Sequence, residues 1–470
     1  MQKCGRFPQF VLCLLATFCW LLVAQPAQSV PLPTEPTNVP TWFYESDQAA
    51  ASLGYSVSGA GDVNGDGYED VLVGAPKYNS GTYKAGTVFA FYGSAGGLTP
   101  WPNWSFGGDQ TGGDFGFSVA AAGDVNHDGY ADILIGAPRY NGDQSREGRV
   151  YGFYGSATGL SASPDWQIEG DLVDAYLGWS VAPAGDVNND SYDDVIVGAK
   201  WAADTFTNEG MVQLYLGGAA GLSSAPVWTR FGGQPGASLG TAVSAAGDLN
   251  QDNYDDFLVG VPLHNGSQED AGQVLIFCGN SSGQPGEPCQ TINGSKLDER
   301  LGEAVSGIGD ITGDGTAEFI IGAPGQDAAT VYSGLNSSPI WTAVSGQENT
   351  QFGTAVHLSD INGDSYADAI IGAFTYSADQ ATEGKIFVYY GGITGLDATP
   401  SWIAEGNKAE AEFGFALGTS DVDGDAQAEL LVGSPNYRKE TELRGRAFLF
   451  EGIPGSDPTH HLFLPLITNQ

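Results

Sequence analysis

Seven short segments of this chain carry side-chain oxygens at the same alternating positions. In the segment Asp62–Asp70, carboxylate or amide oxygens stand at positions 1, 3, 5 and 9. The other six segments start at Asp124, Asp186, Asp248, Asp310, Asp360 and Asp421, at steps of 62, 62, 62, 62, 50 and 61 residues. Calcium is a hard cation that takes six to eight oxygen ligands at about 2.3–2.6 Å. The spacing therefore predicts up to seven Ca²⁺ sites, one in each repeat.

Alternate residues of a tight turn can point inward together, so positions 1, 3 and 5 converge, position 7 adds its backbone carbonyl and position 9 closes the cage. The predicted ligands of the first four loops are Asp62, Asn64, Asp66, Tyr68 and Asp70; Asp124, Asn126, Asp128, Tyr130 and Asp132; Asp186, Asn188, Asp190, Tyr192 and Asp194; and Asp248, Asn250, Asp252, Tyr254 and Asp256. Those of the last three loops are Asp310, Thr312, Asp314, Thr316 and Glu318; Asp360, Asn362, Asp364, Tyr366 and Asp368; and Asp421, Asp423, Asp425, Gln427 and Glu429.

Position 6 of each loop must turn sharply, through a left-handed backbone conformation that glycine adopts at little cost and asparagine tolerates. Glycine or asparagine stands there in four loops, whereas the others have Ser191, Ser365 and Ala426. We expect these three loops to bind calcium more weakly. Magnesium fits an all-protein acidic cage poorly, and the absence of soft ligands argues against zinc or copper. A simple Asx-type turn without an ion remains the alternative for each loop.

The elements that position these loops are short strands. In the second repeat, residues 116–120 form a short apolar run before the loop, Ile133–Gly136 is a continuous apolar run after it, Arg149–Gly155 alternates, and Trp166–Ile168 is a weaker fourth run. No window shows a helical period. Four strands per repeat, repeated seven times, predict an all-β, seven-bladed β-propeller of four-stranded antiparallel blades.

The fourth strand also predicts how the ring closes. The seventh repeat lacks a tryptophan-containing fourth strand, whereas an extra one, Thr41–Tyr44, precedes the first repeat. We expect this N-terminal strand to complete the last blade, because strand pairing there removes an exposed sheet edge.

The net charge and the two end segments of the chain indicate where the protein is located and which partners it can have. Residues 1–29 have a basic start, an apolar run and small residues at the end, as in a signal peptide. We expect residues 30–40 to be a linker, 41–452 the propeller and 453–470 a C-terminal tail. The formal net charge of −39 disfavours nucleic acid and anionic membranes as partners. The sequence thus predicts a secreted, extracellular monomer without a transmembrane anchor.

Two cysteines remain after the predicted signal peptide, Cys278 and Cys289. They flank a loop rich in glycine, serine and proline, and export exposes them to oxidising conditions. A disulfide and a pair of free thiols are both open at this point.

The repeat resembles the FG-GAP repeat, best known from the propeller of integrin α subunits. The motif letters stand here as Phe115-Gly116 or Phe352-Gly353 and as Gly74-Ala75-Pro76 or Gly136-Ala137-Pro138. The resemblance implies a seven-bladed propeller with calcium on the loops of its lower face and partner contacts mostly on the opposite rim. Integrin-like chains carry leg domains and an anchor after the propeller and fewer metal loops. We therefore expect a free-standing, secreted, bacterial relative.

Two functions from different classes fit these features. The preferred one is an extracellular binding, adhesion or scaffold module whose ligand is a protein or a glycan, with exposed rings such as Trp101, Tyr140, Trp201 and Phe206 as contact residues or as ordinary loop packing. The alternative is a secreted hydrolase with a site on the propeller rim or in the channel. FG-GAP repeats also occur beside a phospholipase domain in one secreted family, but we find no such domain in this sequence. Because no nucleophile elbow or zinc-binding motif surrounds the few histidines, we expect no catalytic residues and no enzyme.

Overall fold

Short runs of β-branched and aromatic residues, separated by glycine-rich turns, form the strands of this chain. The computed structural model describes residues 39–451. The predicted signal peptide (1–29), most of the predicted linker and the predicted tail (453–470) lie outside the described residues. Among residues 39–451 the structure has thirty β-strands and one 3₁₀ turn, Pro324–Gln326, and no α-helix.

The strands form seven four-stranded antiparallel sheets, the blades, which confirms the predicted fold. Blades 1 to 3 contain β2 (Ser56–Gly61), β3 (Asp70–Ala75), β4 (Thr87–Phe91) and β5 (Trp104–Gly107); β6 (Ser118–Gly123), β7 (Asp132–Ala137), β8 (Arg149–Phe153) and β9 (Trp166–Glu169); and β10 (Leu177–Gly185), β11 (Asp194–Ala199), β12 (Met211–Tyr215) and β13 (Trp228–Phe231). Blades 4 to 6 contain β14 (Val243–Gly247), β15 (Asp256–Val261), β16 (Gln273–Phe277) and β17 (Gln290–Asn293); β18 (Ala304–Gly309), β19 (Glu318–Ala323), β20 (Ala328–Ser333) and β21 (Trp341–Val344); and β22 (Ala355–Ser359), β23 (Asp368–Ala373), β24 (Lys385–Tyr389) and β25 (Trp402–Glu405).

Blade 7 is completed by the N-terminal strand, as predicted. It contains β26 (Ala416–Ser420), β27 (Glu429–Ser434) and β30 (Arg446–Phe450), and β1 (Trp42–Glu45) is its outermost strand. Trp42 pairs with Leu449 and Glu45 with Arg446 in an antiparallel register. A small hairpin of β28 (Arg438–Lys439) and β29 (Glu442–Leu443) projects from the same blade. The two ends of the described chain therefore hold the ring together.

The apolar core lies between neighbouring blades. The second strand of every blade is buried along its whole length, because both of its faces are covered by other blades. Seven clusters of buried side chains each span two adjacent blades, and the cluster around Trp42, Leu53 and Leu431 joins blade 7 to blade 1. The core is thus a closed ring of interfaces.

Tryptophan side chains reinforce these interfaces. The indole N–H groups of Trp42, Trp104 and Trp166 each donate to a carbonyl of the next blade, at 2.9 Å. Trp341 makes the equivalent bond to Asp397 at 3.1 Å.

Two faces result from this topology. The lower face carries the seven oxygen-rich loops, each of which connects the first and second strands of a blade, together with the connections between third and fourth strands. The upper face carries the second-to-third and fourth-to-first connections.

Candidate metal centres

The carboxylate at position 1 gathers the backbone of each loop. Asp62 Oδ1 accepts the N–H groups of Gly65 at 2.6 Å and of Asp66 at 3.2 Å, and Oδ2 accepts that of Gly67 at 2.7 Å. The bond from position 6 to Oδ2 of position 1 recurs in all seven loops at 2.7–3.0 Å. These bonds give every loop the same shape. Both an Asx-type turn and a calcium loop have this shape, so the bonds fit either interpretation.

Position 6 has the left-handed conformation that the sequence predicts. Its φ is +90° at Gly67, +81° at Gly315 and +70° at Asn253. Ser191, Ser365 and Ala426 are held at +75°, +71° and +69°. A Cβ atom at Gly67 would meet nothing within 4 Å, so the cost of a side chain at this position lies in the backbone and not in a clash.

The carboxylate at position 9 is buried and ties the loop to its blade. Asp132 has no exposed surface, and its two oxygens accept the N–H groups of Val125 at 3.0 Å and of Gly155 at 2.9 Å. The corresponding bond to the residue at position 2 is present in all seven loops. Each carboxylate oxygen has a second lone pair, so these bonds leave acceptor sites that can face a cation.

Burial makes these carboxylates hard to ionise. It raises the pKa of Asp70, Asp132 and Asp256 to about 7, and that of Asp194, Asp368 and Glu429 to about 8. The backbone hydrogen bonds act in the opposite direction, and the acids at positions 1 and 5 raise the pKa further. The pKa of Glu318 is also raised, mainly by burial.

Neither lysine nor arginine is present in the described loops of the lower face to compensate for this charge. The seven loops, and the third-to-fourth connections of blades 1 to 6, contain no lysine or arginine. Three carboxylates per loop therefore lie together on one turn without a protein cation, which is the situation that a bound divalent ion relieves.

Two buried oxygens at position 3 add a second observation. Asn250 Oδ1 and Thr312 Oγ1 have no hydrogen-bond partner within residues 39–451, although the atoms are shielded from solvent. In the first loop the equivalent Asn64 Oδ1 accepts the N–H of Asp66 at 2.9 Å. A buried polar atom rarely lacks a partner, so Asn250 and Thr312 each offer a free ligand oxygen.

The seventh loop brings three carboxylates together. Asp421, Asp423 and Glu429 each have an oxygen within 4.8 Å of the other two. Within the described part of the chain no other three acidic, histidine or cysteine side chains converge in this way, because the first six loops have Asn or Thr at position 3. The donor atoms are all oxygens, so the residues present fit calcium.

The residues at position 8 were missed by the sequence reasoning. Asp193 accepts the backbone N–H of Asp124, in the preceding loop, at 2.7 Å, and Asp255 accepts that of Asp186 at 2.9 Å. Glu69 does the same for Asp421 at 3.0 Å, across the closure between blades 7 and 1. The signal in the sequence was an acid at position 8 of the first, third and fourth loops, where the other loops have alanine.

The exposed rings singled out in the sequence do not form one surface. Trp101 lies in a third-to-fourth connection on the lower face and is 74% exposed. Tyr140 and Trp201 follow second strands on the upper face, where Tyr140 packs under Arg149 and Trp201 packs against Tyr176. Only the upper-face rings can therefore share a ligand.

Cys278 and Cys289 form a disulfide, with a Cα–Cα distance of 5.9 Å. The bridge closes the third-to-fourth connection of blade 4, and it decides between the two alternatives that the sequence left open.

The repeats of this chain match a known repeat family and parts of known proteins. Residues 53–91, 115–153, 177–215 and 239–277 match the family model of the FG-GAP repeat. Integrin alpha-5 of Xenopus laevis is 31% identical over 230 residues, which cover 47% of this chain and 21% of the integrin. The chain is an integrin-α-like FG-GAP β-propeller. Integrin alpha-V of Gallus gallus is 32% identical over 232 residues, 46% of this chain and 21% of that protein.

A second kind of relative covers more of the propeller. Phosphatidylinositol-glycan-specific phospholipase D of Bos taurus is 29% identical over 418 residues, which are 77% of this chain and 49% of the phospholipase. The human protein of the same name gives 29% over 423 residues, with the same coverage. The propeller chain thus spans about half the length of these relatives.

The phospholipase match contradicts the expectation that the chain is not an enzyme. That expectation rested on the absence of known catalytic motifs, which are local in sequence. A site assembled from several blades leaves no such motif, so the inference from absence was wrong. Among the described residues, no helix is long and apolar enough to cross a membrane.

Proposed function

We propose that this chain is an exported calcium-binding propeller that serves as an extracellular binding or scaffold module, with one Ca²⁺ in the loop of each blade. The observation that carries the proposal is the set of seven buried position-9 carboxylates on a face without lysine or arginine. The proposal includes a signal peptide at residues 1–29, a linker at 30–40, the propeller at 41–452 and a tail at 453–470.

Calcium would supply the positive charge that each loop lacks. Positions 1, 3, 5 and 9 would hold it through side chains, and position 7 through its carbonyl. With a dissociation constant of about 10⁻⁴ M, as in extracellular modules, millimolar calcium would stabilise each loop by about 1.4 kcal/mol. Seven loops would contribute about 10 kcal/mol, comparable to the whole stability of a typical domain.

Calorimetric titration of the chelator-treated protein tests this function. We expect up to seven calcium ions per chain and a higher melting temperature with CaCl₂ than with MgCl₂ at equal concentration. Asp66→Asn in the first loop should lower the stoichiometry by about one ion, because position 5 loses its charge. The matched control is Asp143→Asn, an exposed acid of the upper face, which should leave the titration unchanged. A melting temperature that chelation does not move would refute the proposal.

A second candidate function is phosphodiester hydrolysis, and the match with phosphatidylinositol-glycan-specific phospholipase D favours it over a purely structural role. Among the described residues, His357 on β22 and Thr419 on β26 supply a pair of the kind that hydrolysis uses. His357 Nε2 lies 3.0 Å from Thr419 Oγ1, on the innermost strands of adjacent blades. Burial lowers the pKa of His357 to about 4, which leaves its imidazole neutral at pH 7 with a lone pair for the hydroxyl proton but also weakens it as a base; an anionic phosphodiester beside the ring would raise that pKa.

The test is an assay of the calcium-loaded chain on bis(p-nitrophenyl) phosphate and on a phosphatidylinositol-glycan-anchored protein. We expect release of product, and loss of it in Thr419→Val. Thr229→Val, an exposed threonine on β13, is the matched control and should retain activity. Hydrolysis that survives Thr419→Val would remove the assignment of the pair, and no hydrolysis of either substrate would remove this candidate function.

A further inference from the structure

One residue per blade surrounds the upper end of the central channel. Each directly follows a glycine at or just before the start of the inner strand of its blade, and in blade 3 this glycine is the second residue of β10, so the seven occupy equivalent places in the ring. We call this set the mouth ring; its members are Tyr55, Phe117, Trp179, Thr241, Glu303, Thr354 and Phe415.

Four neighbouring members of the mouth ring are aromatic and touch one another. The ring centroids of Phe415 and Tyr55, and of Tyr55 and Phe117, are 4.9 Å apart, and those of Phe117 and Trp179 are 4.7 Å apart. Trp201 extends this row beyond Trp179 at 5.6 Å. All five side chains are partly exposed. They form a continuous aromatic wall along one side of the mouth.

The remaining three members of the mouth ring are polar. They are Thr241, Glu303 and Thr354, and Glu303 forms an ion pair with Arg300 at 2.9 Å. Thr354 Oγ1 is shielded from solvent and has no hydrogen-bond partner among the described residues. The mouth therefore combines an aromatic wall with a few directed polar groups, the composition that small-molecule sites share.

Lys200 brings a positive charge to the aromatic side. It follows β11, at the place where blades 1, 2, 4, 5 and 7 have proline, and its Nζ lies 4.6 Å from the centroid of the Trp179 ring. Within residues 39–451 its ammonium group has no hydrogen bond and no ion pair. Three other cations of the upper face are held by acids: Lys77 and Arg139 both pair with Asp114, and Arg146 pairs with Asp174. Glu303 and Arg300 act on this ammonium group electrostatically with opposite signs, and neither forms an ion pair with it. The charge of Lys200 is therefore available to a ligand, and burial adds to the gain from a counter-ion.

We propose that the mouth ring binds a six-membered sugar ring that carries an anionic substituent, a carboxylate or a phosphate. The apolar face of the sugar packs on Trp179 and Trp201, the anionic group pairs with Lys200, and the Glu303 carboxylate accepts bonds from the sugar hydroxyls. This inference deepens the proposed binding function, on which it rests, by naming the ligand class.

Titration of the calcium-loaded chain with glucuronate, glucose 1-phosphate and glucose, followed by tryptophan fluorescence and calorimetry, tests the inference. We expect both anionic sugars to bind and glucose to bind at least about tenfold more weakly, because it lacks the charged contact. Comparison of the affinities for glucuronate and glucose 1-phosphate shows whether the site prefers a carboxylate or a phosphate substituent. Lys200→Gln should reduce the affinity for the anionic sugars about tenfold and leave that for glucose unchanged.

The matched control is Lys84→Gln, which removes a lysine that lies 5.5 Å from the Tyr83 ring on an exposed loop of the same face. It should bind as the natural protein does. Absence of binding by all three sugars, equal affinities for glucose and the anionic sugars, or an equal loss in both lysine variants would overturn the inference. Circular dichroism and calcium titration of each variant separate this outcome from failure of the proposed calcium function, since an intact calcium response with no sugar binding refutes the mouth site alone.

Discussion

Without calcium, the stability of the propeller should fall as the pH rises from about 4 to about 7. Burial raises the pKa of Asp132 from 3.8 to about 7 in the folded chain. Between these values the folded state holds a proton that the unfolded state has released, so a rise in pH favours unfolding. The loss of folding stability is therefore absent below pH 3.8, the pKa of the carboxyl in the unfolded chain. It reaches its full value above about 7, the pKa in the folded chain, and stays constant at higher pH.

The magnitude for one loop follows from this difference. A change from 3.8 to about 7 corresponds to about 4 kcal/mol for Asp132 at pH 8. In the function we propose, calcium would bind the ionised carboxylates and replace the proton, so the loaded protein should lose this dependence. The gain in stability from calcium should accordingly be larger at pH 8 than at pH 5.

Urea unfolding at pH 5 and pH 8, with EDTA or with CaCl₂, measures this effect. We expect the free energy of unfolding in EDTA to be several kcal/mol lower at pH 8 than at pH 5, and the two values in CaCl₂ to lie close together. Asp132→Asn should reduce the pH dependence in EDTA by the share of one loop, about 4 kcal/mol at most, and weaken the response to calcium, whereas the exposed Asp143→Asn should change neither. Stability in EDTA that stays level or rises with pH would refute the reasoning.

Three further predictions concern the backbone, the disulfide and the closure of the ring. Ala426→Gly should stabilise the calcium-loaded chain by about 1 kcal/mol in urea unfolding and tighten one calcium site, because φ is +69° there. Replacement of both Cys278 and Cys289 by serine should lower the free energy of unfolding by about 2–3 kcal/mol, with no further effect of a reductant. Trp42→Ala should cost about 3–5 kcal/mol, and Phe43→Ala, half exposed on the same strand, far less.

Much of the fold follows from local spacing. The ligand order in each loop, the left-handed turn at position 6 and the four-strand repeat depend on residues close together in the chain. Closure by Trp42–Glu45 was also predictable, because the missing fourth strand of the last repeat and the extra strand before the first one can be counted.

The contacts between blades were not predictable in this way. The bond from Asp124 to Asp193 joins residues 69 positions apart, and that from His357 to Thr419 joins residues 62 apart. Sequence spacing places such residues in neighbouring blades but not within hydrogen-bond distance. The expectation that the chain is not an enzyme failed for the same reason, since it searched for motifs within single segments.

The sequence by itself determined that seven acidic turns recur in a closed ring of four-stranded units, because a turn and its strands are specified by neighbouring residues. Only the tertiary structure decided that the position-9 carboxylates are fully enclosed, that Asp193 and Asp255 connect adjacent loops, and that Lys200 lies on the wall formed by Trp179. These features depend on how blades pack against one another, and packing brings together side chains whose separation along the chain carries no information about their distance in space.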